Sequence, residues 1–490
     1  MAQHTLFCAW RRIIRVSLLA LGAMGNSGAC RASGDALADY VGLPDKSFAW
    51  KKEAERRVGG VTALRVECAS QTWRGHVWEH QMLVVRPPEI RNKDIALLFI
   101  TGDGNVEDNF DLLKMLATRA GAVTALINRI PNQPLYDGRK EDALIAYTFD
   151  QYLKTGDTSW PLLFPMVKAA VRGMDTVQAL GRQEFNEKIN RFLVTGASKR
   201  GWTTWLSAAV DPRVKAIAPI VIDMLNMKVQ TQWATKVYGR QSEEIEDYTS
   251  YNLTERMDEP RMVELRHWVD PYSYRARYTL PKLLLLGTND PYWVVDSLRN
   301  YWSELREPKL VYQTPNAGHD LGGGEQAKQT LAAFFQVVAD RESLPKMTWK
   351  FSRGPNVCAQ VEVQLSQRAK AFRLWTATSD DRDFRDAAWS SVELRSDSPK
   401  HVLAQVQTPI SGFRAYMVEA DLVASDGTPY KLSTEARVTP DGPPQKPPPR
   451  SRTASWQGFQ NPNSQVPNLA GPEPNRTEGG ALDDTDPILN

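Results

Sequence analysis

The sequence predicts an α/β fold, a mostly parallel sheet with helices on both faces, followed by a small antiparallel β-sandwich. Three observations carry that expectation. Between Asp94 and Asp340, apolar runs of about five residues alternate with helical stretches. The runs ALLFI and KLLLL are apolar without alternation, as strands covered on both faces should be. From Lys346 to Val438 the pattern turns into short alternating segments separated by turn residues, the mark of an antiparallel sandwich. At 490 residues the chain exceeds a single compact core. Repeated strand–helix order implies parallel pairing with right-handed crossovers. Functional groups of such sheets sit just past the carboxyl ends of the strands.

Taken in order, residues 1–32 read as an export signal. Arg11, Arg12 and Arg15 form a basic flank, Val16 to Met24 is apolar, and small residues follow at Ser27, Gly28, Ala29 and Ala32. The apolar stretch falls short of the roughly 20 residues a membrane span needs, so no transmembrane segment is expected in the mature chain, and a periplasmic or secreted location follows. Residues 33–345 form the α/β domain. Within it, residues 36 to 60 read as a helical lead-in, and VTALRVECAS and HVWEHQMLVVRPP as two strands at a sheet edge. Then come DIALLFITGDGN, the helix DNFDLLKMLATRAG, AVTALINRIPNQP, and a long stretch from Glu141 to Gln183 with the three- and four-residue spacing of two helices. RFLVTGAS, the helix RGWTTWLSAAV, VKAIAPIVID, KLLLLGTND, KLVYQTPNAGHD and a last helix, EQAKQTLAAFFQVVAD, complete the domain. An aromatic, helical insertion at about 224–277 is long enough to cap a cleft at the strand ends. Residues 346–440 form the sandwich, and the Pro-rich tail 441–490 has the composition of a disordered segment.

A net charge of +3, with part of the surplus in the first fifteen residues, and the absence of any nucleic-acid-binding motif give no reason to expect a nucleic-acid partner. Cys8, Cys30, Cys68 and Cys358 form no CxxC pair or zinc-spaced cluster. Export would permit a Cys68–Cys358 disulfide; two separate buried thiols are the alternative.

The chemistry gathers at Gly196-Ala-Ser198-Lys-Arg200-Gly201, between an apolar strand and an apolar helix. A serine at a strand-to-helix corner is the nucleophile elbow of the α/β-hydrolase fold, usually Gly-x-Ser-x-Gly. Here Arg200 holds the second glycine position and Gly201 follows it. An arginine there must point away from the helix–strand contact, into the cleft, where it would suit a polar or anionic substrate. Trp202 and Trp293 are further candidates for substrate contact. A serine hydroxyl needs a base beside it, and the base needs a carboxylate to fix its tautomer. The chain order in this fold is serine, acid, histidine. Asp290 follows KLLLLGTN, and His319 follows KLVYQTPNAG. Among six histidines, His319 alone lies after a core strand and downstream of the candidate acid. Asp223, after IAPIVI, is the competing acid. An oxyanion hole needs the N–H after the serine, that of Lys199, and one from the loop Thr101–Asn105, where Asp103 and Gly104 are the candidate donors. TGDGN lacks the P-loop pattern, so it does not read as a nucleotide site. The mechanism requires neither a metal nor an organic cofactor.

FLVTGASKRGWTTWLSAAVDPRVKAIAPIVIDMLN, with GTNDPYW, NAGHDL and the early ADYV, resembles the PhoPQ-activated pathogenicity-related protein family over about residues 36–430. The resemblance implies an exported α/β-hydrolase with a C-terminal β-domain at the bacterial envelope, linked to pathogenicity and envelope stress. It implies the same assignments for Ser198, Asp290 and His319, and it supplies no settled substrate. The sequence thus predicts a serine hydrolase, of esterase or peptidase type, acting on a small-molecule, peptide or carbohydrate ester or amide. A non-catalytic envelope binding protein on the same scaffold is the alternative.

Overall fold

The computed structural model describes residues 35–354 and 358–445. The expected export signal and nearly all of the Pro-rich tail lie outside the described residues.

Among the described residues, nine strands form the main sheet: β1 (Ala49–Val58), β2 (Val61–Trp73), β3 (His76–Arg86), β4 (Ile95–Ile100), β5 (Val123–Ile127), β6 (Arg191–Ala197), β7 (Val214–Ile220), β8 (Lys282–Gly287) and β9 (Lys309–Thr314). Their spatial order is β1-β2-β3-β5-β4-β6-β7-β8-β9. The first three strands and the β3–β5 pair are antiparallel, and every pairing from β5 through β9 is parallel. The helices are α1 (Ala36–Gly42), α2 (Phe110–Ala120), α3 (Glu141–Thr155), α4 (Leu163–Glu184), α5 (Lys199–Val210), α6 (Met227–Tyr238), α7 (Glu246–Thr249), α8 (Pro260–Val269) and α9 (Glu325–Ala339). This is the α/β-hydrolase arrangement expected from the alternating runs. The strand β4 shows why its run is unbroken. Ala96, Leu98 and Ile100 enter the core beneath α4 and α5, while Ile95, Leu97 and Phe99 enter the core beneath α2 and α9.

The lead-in expected to be helical departs from that reading. Only Ala36–Gly42 is helix, and AWKKEAERRV forms the edge strand β1. Its helix-forming Lys, Glu and Arg residues are overridden by pairing along the thirteen-residue β2. Its charged, exposed side chains keep the sheet edge from recruiting another strand.

The C-terminal module has β10 (Met347–Gly354), β11 (Cys358–Leu365), β12 (Ala371–Ser379), β13 (Ser390–Glu393), β14 (His401–Gln407), β15 (Phe413–Val423), β16 (Pro429–Ser433) and β17 (Arg437–Thr439). They form one sheet ordered β10-β11-β14 and another ordered β13-β12-β15-β16, with β17 paired to β15. Among the described residues, the module's strands pair with none of the main sheet, but its core is shared with it. Val361, Val418 and Leu432 share one apolar cluster with Leu331 and Phe335 of α9. Cys68 lies buried in the main sheet and Cys358 in this module, and they are not joined by a disulfide. Burial pushes the Cys68 thiol up to about 11, which keeps it protonated and unreactive.

Candidate active site

The carboxyl ends of the parallel strands lie level, with Ile100 opposite Gly196, Ala197 opposite Ile220, and Gly287 opposite Thr314. The loops that leave these ends therefore converge. Ser198 sits at the corner between β6 and α5 with φ 56° and ψ −124°, a sparsely populated conformation that the surrounding packing must impose. Gly201 explains the displaced second glycine of the elbow. A Cβ there would fall 2.7 Å from the Ile222 side chain and 3.0 Å from the Gly196 and Ile220 carbonyls, so position 201 is where the helix meets the strands.

His319 links two of the expected partners. Its Nε2 is 2.9 Å from Ser198 Oγ, and its Nδ1 is 2.8 Å from Asp290 Oδ2. Asp290 Oδ1 accepts the N–H of Tyr292 at 3.0 Å, which fixes the carboxylate plane. With Asp290 ionised, the proton resides on Nδ1 and Nε2 is left to accept from the serine. The structure brings Ser198, His319 and Asp290 into one hydrogen-bonded chain.

Asp223 takes no part in it. It is buried and accepts from the Tyr301 hydroxyl at 2.6 Å. Burial, reinforced by the nearby Asp290 carboxylate, pushes its carboxyl up to about 8, so it holds a proton where an imidazolium partner must be charged. Below about pH 4 the group is protonated in both folded and unfolded chains. As pH rises from 3.8 towards 8 the unfolded chain loses the proton and the folded one keeps it, so stability falls across that window. Asp223→Asn is expected to raise Tm, by more at pH 8 than at pH 5, in thermal melts at the two pH values. Equal gains at both would contradict the assignment.

Arg200 corrects an expectation. It does turn away from the helix–strand contact, but it does not reach the cleft. Its guanidinium is fully buried, with Nη1 and Nη2 each 2.6 Å from the Glu141 carboxylate and Nε donating to the Ile130 carbonyl. Burial alone would raise the Glu141 carboxyl, but Arg200, Lys199 and Gln133 outweigh it and hold it at about 2. The arginine also lies against Gly102, where any side chain would collide with the guanidinium. Arg200 is thus a strut between the elbow, the start of α3 and the Thr101–Asn105 loop. That loop is pinned further by Arg129 N–H to the Gly102 carbonyl at 2.7 Å, Asn128 Nδ2 to the Gly104 carbonyl at 2.8 Å, and Gln133 Nε2 to Asp103 Oδ2 at 3.0 Å.

Lys199, whose N–H lies in the first turn of α5 and lacks an intrahelical acceptor, sends its ammonium to Asp142 Oδ2 at 2.6 Å. The Tyr248 hydroxyl donates to Asp142 Oδ1 at 2.8 Å. Trp202 and Trp293 line the adjoining cavity. Three features went unanticipated. The Tyr292 ring lies on the His319 imidazole, with centroids 4.3 Å apart; its place two residues after the acid in NDPYW was the available signal. Glu141, Asp142, Glu243, Glu244, Glu246 and Asp247 line one open recess beside Tyr292.

The third is the grip of the β-module on both loops that carry polar partners of the serine. Asn289 Nδ2 donates to the carbonyls of Phe384, Arg385 and Ala387 at 3.2, 3.1 and 2.8 Å. Asn316 and Trp389 exchange two bonds of 2.9 and 2.7 Å. Behind them, Arg382 and Asp296 form a salt bridge of 2.8 Å with both side chains wholly buried. The sequence placed this module as a separate sandwich and did not signal that its β12–β13 loop holds the residues next to Asp290 and near His319.

The strand order, the strained elbow serine and the loops at the strand ends define an α/β-hydrolase-fold protein. A model of the PhoPQ-activated pathogenicity-related protein family matches residues 37–385. The chain is also 30% identical over 450 residues to autocrine proliferation repressor protein A of Dictyostelium discoideum, across 83% of this chain and 90% of that protein. The chain belongs to the PhoPQ-activated pathogenicity-related protein family. Among solved structures it is similar to acetyl xylan esterase 1 from Thermoanaerobacterium sp., with TM-score 0.45, 15% identity, and coverage of 62% of this chain and 91% of that one. It is also similar to the acetyl xylan esterase from Paenibacillus sp. R4, with TM-score 0.42, 14% identity, and coverage of 58% and 86%.

Proposed function

We propose that the protein is an exported serine hydrolase that cleaves small-molecule esters through Ser198, His319 and Asp290. The observation that carries the reading is the unbroken hydrogen-bonded chain from Ser198 Oγ through both imidazole nitrogens to the Asp290 carboxylate. Ser198 Oγ attacks the substrate carbonyl carbon as His319 Nε2 takes its proton. The tetrahedral oxyanion is met by the Lys199 N–H and by an N–H of the Thr101–Asn105 loop, from Asp103 or Gly104. His319 returns the proton to the departing alkoxide, and water then repeats the sequence on the acyl-enzyme. Asp290 orients the imidazole and stabilises its charged form. Export to the periplasm or medium, and a part in pathogenicity or envelope stress, belong to the same reading. Export rests on the basic, apolar, small order of residues 1–32, and the pathogenicity role on family membership.

The field at the mouth shapes the substrate. Arg200 is buried and neutralised by Glu141, so it offers nothing to an anion. The recess beside Tyr292 is lined by carboxylates, among which burial pushes Glu244 and Asp247 up from their ordinary range. Neutral activated esters such as p-nitrophenyl acetate and butyrate are expected to be turned over. An acetate ester whose alcohol carries a carboxylate, such as 4-acetoxybenzoate, should show a kcat/KM about tenfold lower than phenyl acetate at low salt, with the gap narrowing as salt screens the field. A folded protein that hydrolyses no ester or amide would overturn the reading.

A further inference from the structure

A cavity of about 110 Å³ is lined by Lys199, the residue after the serine, and by Tyr292. Its walls are apolar, with Met224, Met227, Met257 and Met262 facing Trp202 and Phe149. Most polar groups on its lining are satisfied within the protein, while Arg266 Nε and Trp293 Nε1 are buried without an acceptor among the described residues. Lys199 and Tyr248 are bound to Asp142, Gln230 donates to the Ser297 carbonyl, and Arg266 donates to the Met257 carbonyl.

The cavity is tied to the reacting groups by shared residues. Lys199 follows the serine directly, and Trp202 lies one turn further along α5. Tyr292 lines the cavity, and its ring lies on the His319 imidazole with centroids 4.3 Å apart. The other recess sharing Tyr292 is the open, carboxylate-lined one, through which a leaving alcohol can depart to solvent. The apolar cavity suits the part of the substrate that stays on the serine.

We infer that this cavity receives the acyl group of the ester, and that the enzyme selects apolar acyl groups of medium length. The inference rests on the proposed hydrolase reading and extends it to substrate class. Attack forms the Ser198 Oγ–acyl carbon bond and breaks the acyl carbon–alkoxy oxygen bond. The serine proton passes through His319 to the alcohol, leaving the acyl group in the cavity until water cleaves the new ester and restores the serine. An engineered cavity of about 150 Å³ holds benzene, so this one suits about four to six carbons. Burial of each methylene is worth about fourfold in kcat/KM. Methionine walls adjust to chains and rings alike.

The test is a series of p-nitrophenyl esters from acetate to dodecanoate on the full chain. The expected kcat/KM rises about fourfold per methylene to hexanoate and falls beyond it. Met257→Trp, which fills the cavity, should lower the hexanoate-to-acetate ratio of kcat/KM at least tenfold. The milder Met262→Phe should move the ratio in the same direction, should the larger substitution compromise folding. A wild-type profile that is flat or favours acetate, or a ratio unmoved in both variants, overturns the cavity assignment while acetate turnover leaves the hydrolase reading standing. No turnover of any ester, acetate included, removes that reading and this inference together.

Discussion

Ser198→Ala is expected to lower kcat on activated esters by about 10⁴- to 10⁶-fold. The alanine cannot form the acyl-enzyme, and what survives is the modest catalysis of the oxyanion hole and binding alone. The fold should not register the change. Both residues tolerate φ 56° equally poorly, so the strain at the elbow is unaltered, and His319 keeps its bond to Asp290. Tm should stay within a few degrees of the parent, so the loss is read on folded protein by comparing initial rates with a thermal melt of the same sample. A variant retaining more than a hundredth of the parent rate would remove Ser198 from the chemistry.

Arg200→Met should produce the largest loss of stability, about 3–5 kcal/mol in a urea titration, because it leaves a mostly buried carboxylate without its bidentate partner. Glu141 would retain Gln133 and the Lys199 ammonium at 3.5 Å, which is a poorer match than the guanidinium fork at 2.6 Å. Arg200→Lys should recover little of the loss, since an ammonium cannot span both carboxylate oxygens and the Ile130 carbonyl. The pH dependence follows from the depressed Glu141 carboxyl. Its contribution is complete above the ordinary value of 4.5 and is lost as pH falls towards 2. The gap between Arg200→Met and the parent should therefore narrow as the titration moves below pH 4.5. Activity should fall as well, in kcat more than in KM, because the Thr101–Asn105 loop loses the group that props Gly102. A variant as stable as the parent at pH 7 would show that the strut carries no load.

Much of this site was legible because its parts obey local rules. Ser198, Asp290 and His319 each follow an apolar run, and runs covered on both faces are recognisable without partners. The parts that were not legible depend on distant contacts. AWKKEAERRV carries helix-forming residues and becomes a strand only because β2 is there to pair with it. The sequence showed that an arginine at position 200 must avoid the packing side. It could not show that Glu141, 59 residues upstream, would turn a supposed substrate contact into a buried strut. Asn289 reads as a turn residue, and its three carbonyl acceptors lie 95 to 98 residues further along in the β-module. That grip gives the module a physical role, since it ties down the loops bearing Asp290 and His319. Breaking of the Arg382–Asp296 pair behind it would loosen both at once.

The most direct measurement is covalent labelling of the full chain with a fluorophosphonate, read by intact mass and peptide mapping. The account predicts a single adduct, on Ser198, absent from Ser198→Ala and much slowed in His319→Gln. A folded protein that takes no label, or one labelled equally in the absence of the serine, would contradict it and leave the scaffold as a binding protein.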